Sequence, residues 1–294
     1  SPIYLYWAPV VRNIGGKLRM YYSVVIDNYI KTGLPNTTAN FDYSWTERAF
    51  IGLMESTDPA NNVWVDRGYV ISSVSDKVTG TEPWYRASTS DWSGYFKWNA
   101  IDPTYIVTPQ GEHWLIYGSW HSGIPAVQLN PETGKPYQLN TLADYGTRVA
   151  RRTNSDTNRW QAQEGPEIIY NPQTGYYYLF LAYDELSVRY NTRVCRAKNI
   201  NGPYYGYIAS LTNYTLGANI TNGADCFPII THPYKFNNHS GWVGFSHCAV
   251  FQDSVSGQWY YASQARLPEN TNGNAYSNAI MMGHVRKILW TDDG

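Results

Sequence analysis

The chain has 294 residues, enough for one large domain or two ordinary ones, and its 43% hydrophobic content supplies a sizeable core. Charged residues make up only 15% and the formal net charge is −1, so there is no basic stripe of the kind a nucleic-acid partner requires. No uninterrupted apolar run is long enough to cross a membrane as a helix.

The excess lies in aromatics, with 27 Tyr and 12 Trp. These residues favour strands and offer flat faces on which sugar rings stack. Three cysteines (Cys195, Cys226 and Cys248) form no even framework and no CxxC pair. The first residues, "SPIYLYWAPVV", are already strand-like and show no signal peptide. They read as a processed or cropped start.

In chain order, the first element is "WAPVVRNIGGKLRMYYSVV" from Trp7, two strands about a Gly-Gly turn, followed by the strand "RAFIGLMES". Next comes "NAIDPTYIV", residues 99–107, which reads as a strand through Ile101, Tyr105, Ile106 and Val107. Asp102 stands inside it, and a carboxylate in a core strand must neutralise itself or find partners. The unit continues as "IDPTYIVTPQGEHWLIYGSW", followed by "PAVQLN". A third unit, "EGPEIIYNPQTGYYYLFLAY", begins at Glu164 and leads into "TRVCRAKN". The stretch from Asn201 to Phe227 exceeds an ordinary connection, and such loops are usually functional or disordered. Its Tyr204, Tyr205, Tyr207 and Tyr214 are candidate stacking faces, set against a decorated outer-strand hairpin as the plainer expectation. The fourth unit is "SHCAVFQDSVSGQWYYASQA" from Ser246, and "NAIMMGHVRKILW" closes the series.

These four units repeat one design, a strand, a short turn and a Gly-led aromatic strand. The spacing from leading residue to turn glycine is 9 for Trp7–Gly16 and Asp102–Gly111, 11 for Glu164–Gly175 and 10 for His247–Gly257. Units recur about every 60 to 95 residues with roughly four short strands each, the pattern of propeller blades. The predicted fold is therefore all-β, a β-propeller with four blades evident, over a single domain of residues 1–294. A β-sandwich also has many short strands, but it does not place polar residues at matched points of each repeat. In a propeller the leading strands line the axis, so Asp102, Glu164 and His247 are expected to face one another. Taken singly, Asp-Pro is a common turn, and a lone histidine is more often core than ligand. Two carboxylates at one pocket point to glycoside hydrolysis, one protonating the leaving oxygen while the other activates water or attacks the sugar.

The same residues resemble glycoside hydrolase family 43, the five-bladed propellers, and within it the arabinanases. "WAPD" of the family stands here as "WAPV", Trp7 to Val10, with Val10 in the aspartate's place. "AIDP" is intact at Ala100 to Pro103, and the acid-bearing E-[AG]-P motif is Glu164-Gly165-Pro166. "GSFWSGI" is matched by "GSWHSGI", Gly118 to Ile124, and "GHN" by "SHC", Ser246 to Cys248. The resemblance spans the chain and implies an inverting mechanism. It makes Glu164 the general acid and Asp102 the auxiliary aspartate that orients the acid and keeps it protonated. It makes His247 the neighbour of an axial calcium or sodium ion, with water completing the shell and no organic cofactor. A single imidazole cannot by itself hold calcium, which prefers roughly six to eight oxygens. Trp7, Asn99, Ser119, Trp120, His121 and Tyr183 are the candidate substrate-binding residues. The family's base is an aspartate preceding "WAPD", and residues 1–26 contain no aspartate. A missing first blade is the expectation that fits.

The resulting expectation is an inverting hydrolase of α-1,5-linked L-arabinan or arabino-oligosaccharides, releasing product from a chain end. The protein is expected to be a monomer, secreted or periplasmic, because plant polysaccharide lies outside the cell. An arabinofuranosidase or β-xylosidase on the same scaffold is the alternative within the class. A non-catalytic sugar-binding propeller is the alternative outside it.

Overall fold

The computed structural model describes residues 3–27, 49–75, 96–153, 161–186, 189–209, 214–224, 228–230, 235–236, 239–240, 242–266, 281–292 and 294. Cys226 lies outside them. Two compact units divide the chain, Ser1–Gln161 and Ala162–Gly294.

In the first unit, β1 (Ile3–Ile14), β2 (Lys17–Asp27), β3 (Ala49–Asp58) and β4 (Val63–Ser72) form one antiparallel meander in that order. Gly15 and Gly16 join β1 to β2 at φ 60° and 87°. Two successive positive φ values suit the right-handed twist of a two-residue hairpin and exclude most other residues. β5 (Val74–Ser75) pairs with β6 (Phe96–Trp98). A second meander of β7 (Thr104–Val107), β8 (His113–Ile116), β9 (Ile124–Leu129) and β10 (Thr147–Ala150) follows. Tyr21, Ile51, Leu53, Ile71, Tyr105 and Leu115 belong to one buried cluster, so residues from β2, β3, β4, β7 and β8 share a core.

That core also encloses an ion network. Glu55 on β3 accepts from Lys17 at 2.8 Å, Arg19 at 2.9 Å and Arg67 at 2.9 Å. Arg19, 1% exposed, also donates to the carbonyls of Pro131 and Glu132 at 2.6 and 3.0 Å. Burial alone would push Glu55 up, but its three cationic donors outweigh burial and hold the carboxyl at about 2.

In the second unit, β11 (Gln163–Asn171), β12 (Tyr176–Tyr183), β13 (Asn191–Ala197), β14 (Tyr205–Ala209) and β15 (Tyr214–Asn219) form one antiparallel sheet. β16 (Pro228–Ile230) also pairs with β13. A short pair, β17 (Lys235–Phe236) and β18 (His239–Ser240), precedes the last meander of β19 (Val243–Gln252), β20 (Trp259–Arg266) and β21 (Met281–Ile288). Ile169, Tyr178, Phe180, Val250, Trp259 and Tyr261 pack together between β11, β12, β19 and β20. No helix among the described residues is long and apolar enough to cross a membrane.

Each repeat read from the sequence thus leads its own antiparallel sheet. Two expectations change. The Asn201–Phe227 stretch contains the hairpin β14–β15, with Tyr207 opposite Leu216 and Tyr205 opposite Asn219. Alternation of strand formers on both sides of a turn wins over loop length here. Tyr204 is fully buried, its hydroxyl donating to the Ile200 carbonyl at 2.7 Å, so it offers no face to a sugar. Asp102 lies outside the ladder, in a bend two residues ahead of β7.

Candidate active site

The bend at Asp102 belongs to a device that recurs four times. Ala8, Asp102, Gly165 and His247 have φ values of 43°, 54°, 52° and 51°, each within or just ahead of a sheet's leading strand. In β1, β11 and β19 the register slips at that point, between Trp7 and Val10, Glu164 and Glu167, and Ser246 and Ala249. Two residues then oppose one, which makes a β-bulge whose first residue is left-handed. Ahead of β7 the Gly118 N–H donates to the Ile101 carbonyl at 2.9 Å while Thr104 pairs with Ile116, leaving Asp102 and Pro103 opposite Tyr117 alone. Proline follows the left-handed residue in three of the four cases, Pro9, Pro103 and Pro166. A bulge leaves that N–H unpaired, so its loss costs nothing there.

Bulges re-aim side chains, and this one explains how a carboxylate can sit where a core strand begins. It also corrects the alignment of the repeats. Asp102 and His247 occupy the left-handed position itself, whereas Trp7 and Glu164 stand one residue before it. Only glycine adopts such a φ freely, and other residues there cost roughly 1–2 kcal/mol. Ala8→Gly is therefore expected to stabilise the protein by up to about 1 kcal/mol, the opposite sign to Ala→Gly within a regular strand. Chemical denaturation measures it, and a loss of stability would contradict the bulge at β1.

In the first unit the hydrogen bonds link several predicted residues. The Asp102 N–H donates to the Ser23 hydroxyl at 3.0 Å, and Ser23 pairs directly with Trp7. Asn99 accepts from the Ser73 hydroxyl at 3.2 Å, and its carbonyl accepts from the Ile101 N–H. The bond from Gly118 to Ile101 ties the "GSWHSGI" turn to the same segment. Within that turn Trp120 and His121 both have positive φ, 56° and 47°. Two strained non-glycine residues in succession persist only where the surroundings hold them, as at functional sites. Asn99, Asp102, Ser119 and His121 are all buried, while Trp7 and Trp120 are half-buried. Of the predicted residues in this unit, the two tryptophans are the ones that keep part of their surface exposed.

In the second unit Glu164 is half-buried on β11, and the Tyr190 hydroxyl donates to its Oε1 at 2.5 Å. Tyr190 itself is 2% exposed. The ring of His247 packs on Gly165, where a Cβ would lie 3.0 Å from its Cγ, so the close approach requires glycine beside the acid. Ser246 is pinned from below, its hydroxyl donating to the Asn191 carbonyl at 2.9 Å and accepting from Thr192 at 3.2 Å. Gly165 thus neighbours Glu164 along the chain and the His247 ring in space. Tyr183 is fully buried, accepts from Gln163 at 2.7 Å and has the Arg193 guanidinium 4.3 Å above its ring. It supports this wall and does not face solvent. Another carboxylate, Glu167, is 3% exposed and accepts from the Val250 N–H at 3.1 Å, which makes it a structural link between β11 and β19.

Two functional candidates, Tyr190 and the buried Arg266 of β20, belong to no motif in the sequence. Among the described residues no three His, Cys, Asp or Glu side chains gather as a metal site. One imidazole supplies too few donors for a hard cation by itself, so water would have to complete the shell of any ion beside His247, and no chemical step is routed through one. The second unit is suited to proton transfer: a half-buried carboxyl is held by a buried phenol, and the His247 ring packs on the neighbouring Gly165.

An extracellular endo-α-(1→5)-L-arabinanase of Thermotoga petrophila is 34% identical over 209 residues, 67% of this chain and 40% of that protein. The extracellular endo-α-(1→5)-L-arabinanase 1 of Bacillus subtilis is 32% identical over 202 residues, 67% of this chain and 48% of that protein. The extracellular exo-α-(1→5)-L-arabinofuranosidase ArbA of Cellvibrio japonicus is 24% identical over 252 residues, 83% of this chain and 58% of that protein. The chain thus spans about two-fifths to three-fifths of these relatives. Among solved structures, an exo-1,5-α-L-arabinanase from a bovine ruminal metagenomic library is 26% identical, with a TM-score of 0.65 over 98% of this chain and 76% of that one. The fold class is accordingly the all-β propeller class of these arabinanases. The sequence profile of glycosyl hydrolases family 43 matches residues 1–294, and the chain belongs to that family.

Proposed function

We propose that the protein is an inverting glycoside hydrolase of α-1,5-linked L-arabinan, with residues 1–294 as its catalytic domain. The observation that carries the reading is Glu164: a half-exposed carboxyl on a bulged leading strand, held by one buried donor, in a chain of this family. Glu164 protonates the glycosidic oxygen, and Asp102, on the intact AIDP motif, takes the role of auxiliary carboxylate. Trp7 and Trp120 offer faces for sugar rings. Asn99, Ser119 and His121 shape the wall behind them, and Tyr183 backs Glu164. The base that activates water is assigned to neither Asp102 nor Glu164. A cation beside His247 would be held chiefly by water. The relatives named extracellular support action outside the cell, and the protein is proposed to act as a monomer.

The mode is proposed as internal cleavage. Two of the matched relatives are named endo-acting at 34% and 32% identity. The described residues of the stretch that suggested a gate for chain-end release include the strand pair β14–β15. Incubation with linear arabinan, with viscosity followed against reducing sugar, is expected to show viscosity falling at low conversion. A parallel panel of aryl arabinofuranosides and xylosides is expected to be cleaved poorly. Tight binding of arabino-oligosaccharides by calorimetry with no new reducing ends would instead identify a sugar-binding propeller.

A further inference from the structure

The proton donor of the proposed reaction has a partner that no sequence motif marks. Tyr190 precedes β13, outside any regular strand, and is 2% exposed, so it does not reach a sugar. Its hydroxyl donates to one oxygen of Glu164, Oε1, at 2.5 Å. The Arg266 guanidinium, 1% exposed on β20, interacts electrostatically with Tyr190. A cation beside a phenol repels the hydroxyl proton and makes the phenol a stronger donor.

We propose that Tyr190 is a positioning residue that makes Oε2 of Glu164 the oxygen that delivers the proton. In a neutral carboxyl the carbonyl oxygen accepts and the hydroxyl oxygen donates. A fixed donor on Oε1 makes that atom the carbonyl, so the proton resides on Oε2. During bond cleavage the Oε2–H bond breaks and the proton goes to the glycosidic oxygen. The carboxyl becomes a carboxylate, and Tyr190 keeps its own proton. A hydrogen bond to a charged acceptor is stronger than one to a neutral acceptor, so the contact tightens as charge develops on Glu164. Interactions that strengthen only in the transition state raise kcat and leave KM alone.

This inference rests on Glu164 being the proton donor, and the experiment separates the two. Tyr190→Phe is expected to lower kcat on linear arabinan about 10- to 100-fold with little change in KM. An aryl arabinofuranoside, whose leaving group needs little protonation, is expected to lose far less. In a Glu164→Gln background the same substitution is expected to add no further loss. Equal losses on both substrates, or an additive loss in that background, would overturn the proposal. A readout independent of turnover is a slowly exchanging downfield hydroxyl proton in the NMR spectrum. It is expected in the wild type and absent from Tyr190→Phe; its absence from the wild type would overturn the proposal. A wild type that shows this resonance and does not cleave arabinan would sink the functional reading while leaving the contact in place.

Discussion

Glu164→Gln is expected to cut turnover of linear arabinan by about 10²- to 10⁴-fold, the contribution of a positioned general acid. The amide is nearly isosteric and keeps an oxygen that accepts from Tyr190, so the leading strand and its bulge should survive. Thermal midpoint and circular dichroism are expected to stay near those of the wild type. The loss should shrink on substrates with activated leaving groups, where protonation matters least. Near-normal arabinan hydrolysis by a folded variant would remove Glu164 from the role.

The second large effect concerns stability in the first unit. Glu55, 6% exposed, is the carboxylate on which the Lys17, Arg19 and Arg67 charges meet at β3. Glu55→Gln leaves the buried Arg19 guanidinium without its counter-charge. Breaking a buried pair from one side costs about 3–5 kcal/mol. The effect carries a pH signature. The folded carboxyl stands at about 2 against an ordinary 4.5. A depressed value means that its stabilisation is fully present above the ordinary value and is lost as pH falls towards 2. The stability gap between wild type and Glu55→Gln is therefore expected to be largest near neutral pH and to close between about pH 4.5 and 2. Denaturant unfolding across that range measures it. A gap that stays constant with pH would show that packing, not charge, sets the loss.

Hairpins and sheets were legible in the sequence because glycine turns and aromatic strands advertise themselves locally. Gly16, Gly111, Gly175 and Gly257 all have positive φ between successive strands. The bulges were half legible. Ile101 and Tyr105 invite a strand through Asp102, yet the left-handed φ at Asp102 belongs to a backbone irregularity that hydrophobic periodicity does not report. Aligning repeats by polar letters therefore put Glu164 one position out of step. The prolines at 9, 103 and 166 were the signal that would have set the register, since each directly follows the left-handed residue. Tyr190 and Arg266 were illegible because their relation to Glu164 spans 26 and 102 residues and no local pattern marks them. The Arg19–Glu55 pair, 36 residues apart on neighbouring strands, was hidden for the same reason.

The measurement closest to the central claim is proton NMR of the first product formed from linear α-1,5-L-arabinan, recorded before the new reducing end mutarotates. Inversion by one acid and one base predicts that the β-anomer of the new reducing end appears first and then equilibrates. First appearance of the α-anomer would mean retention through a covalent intermediate, and the absence of any new reducing end would mean no hydrolysis; either result would contradict the account.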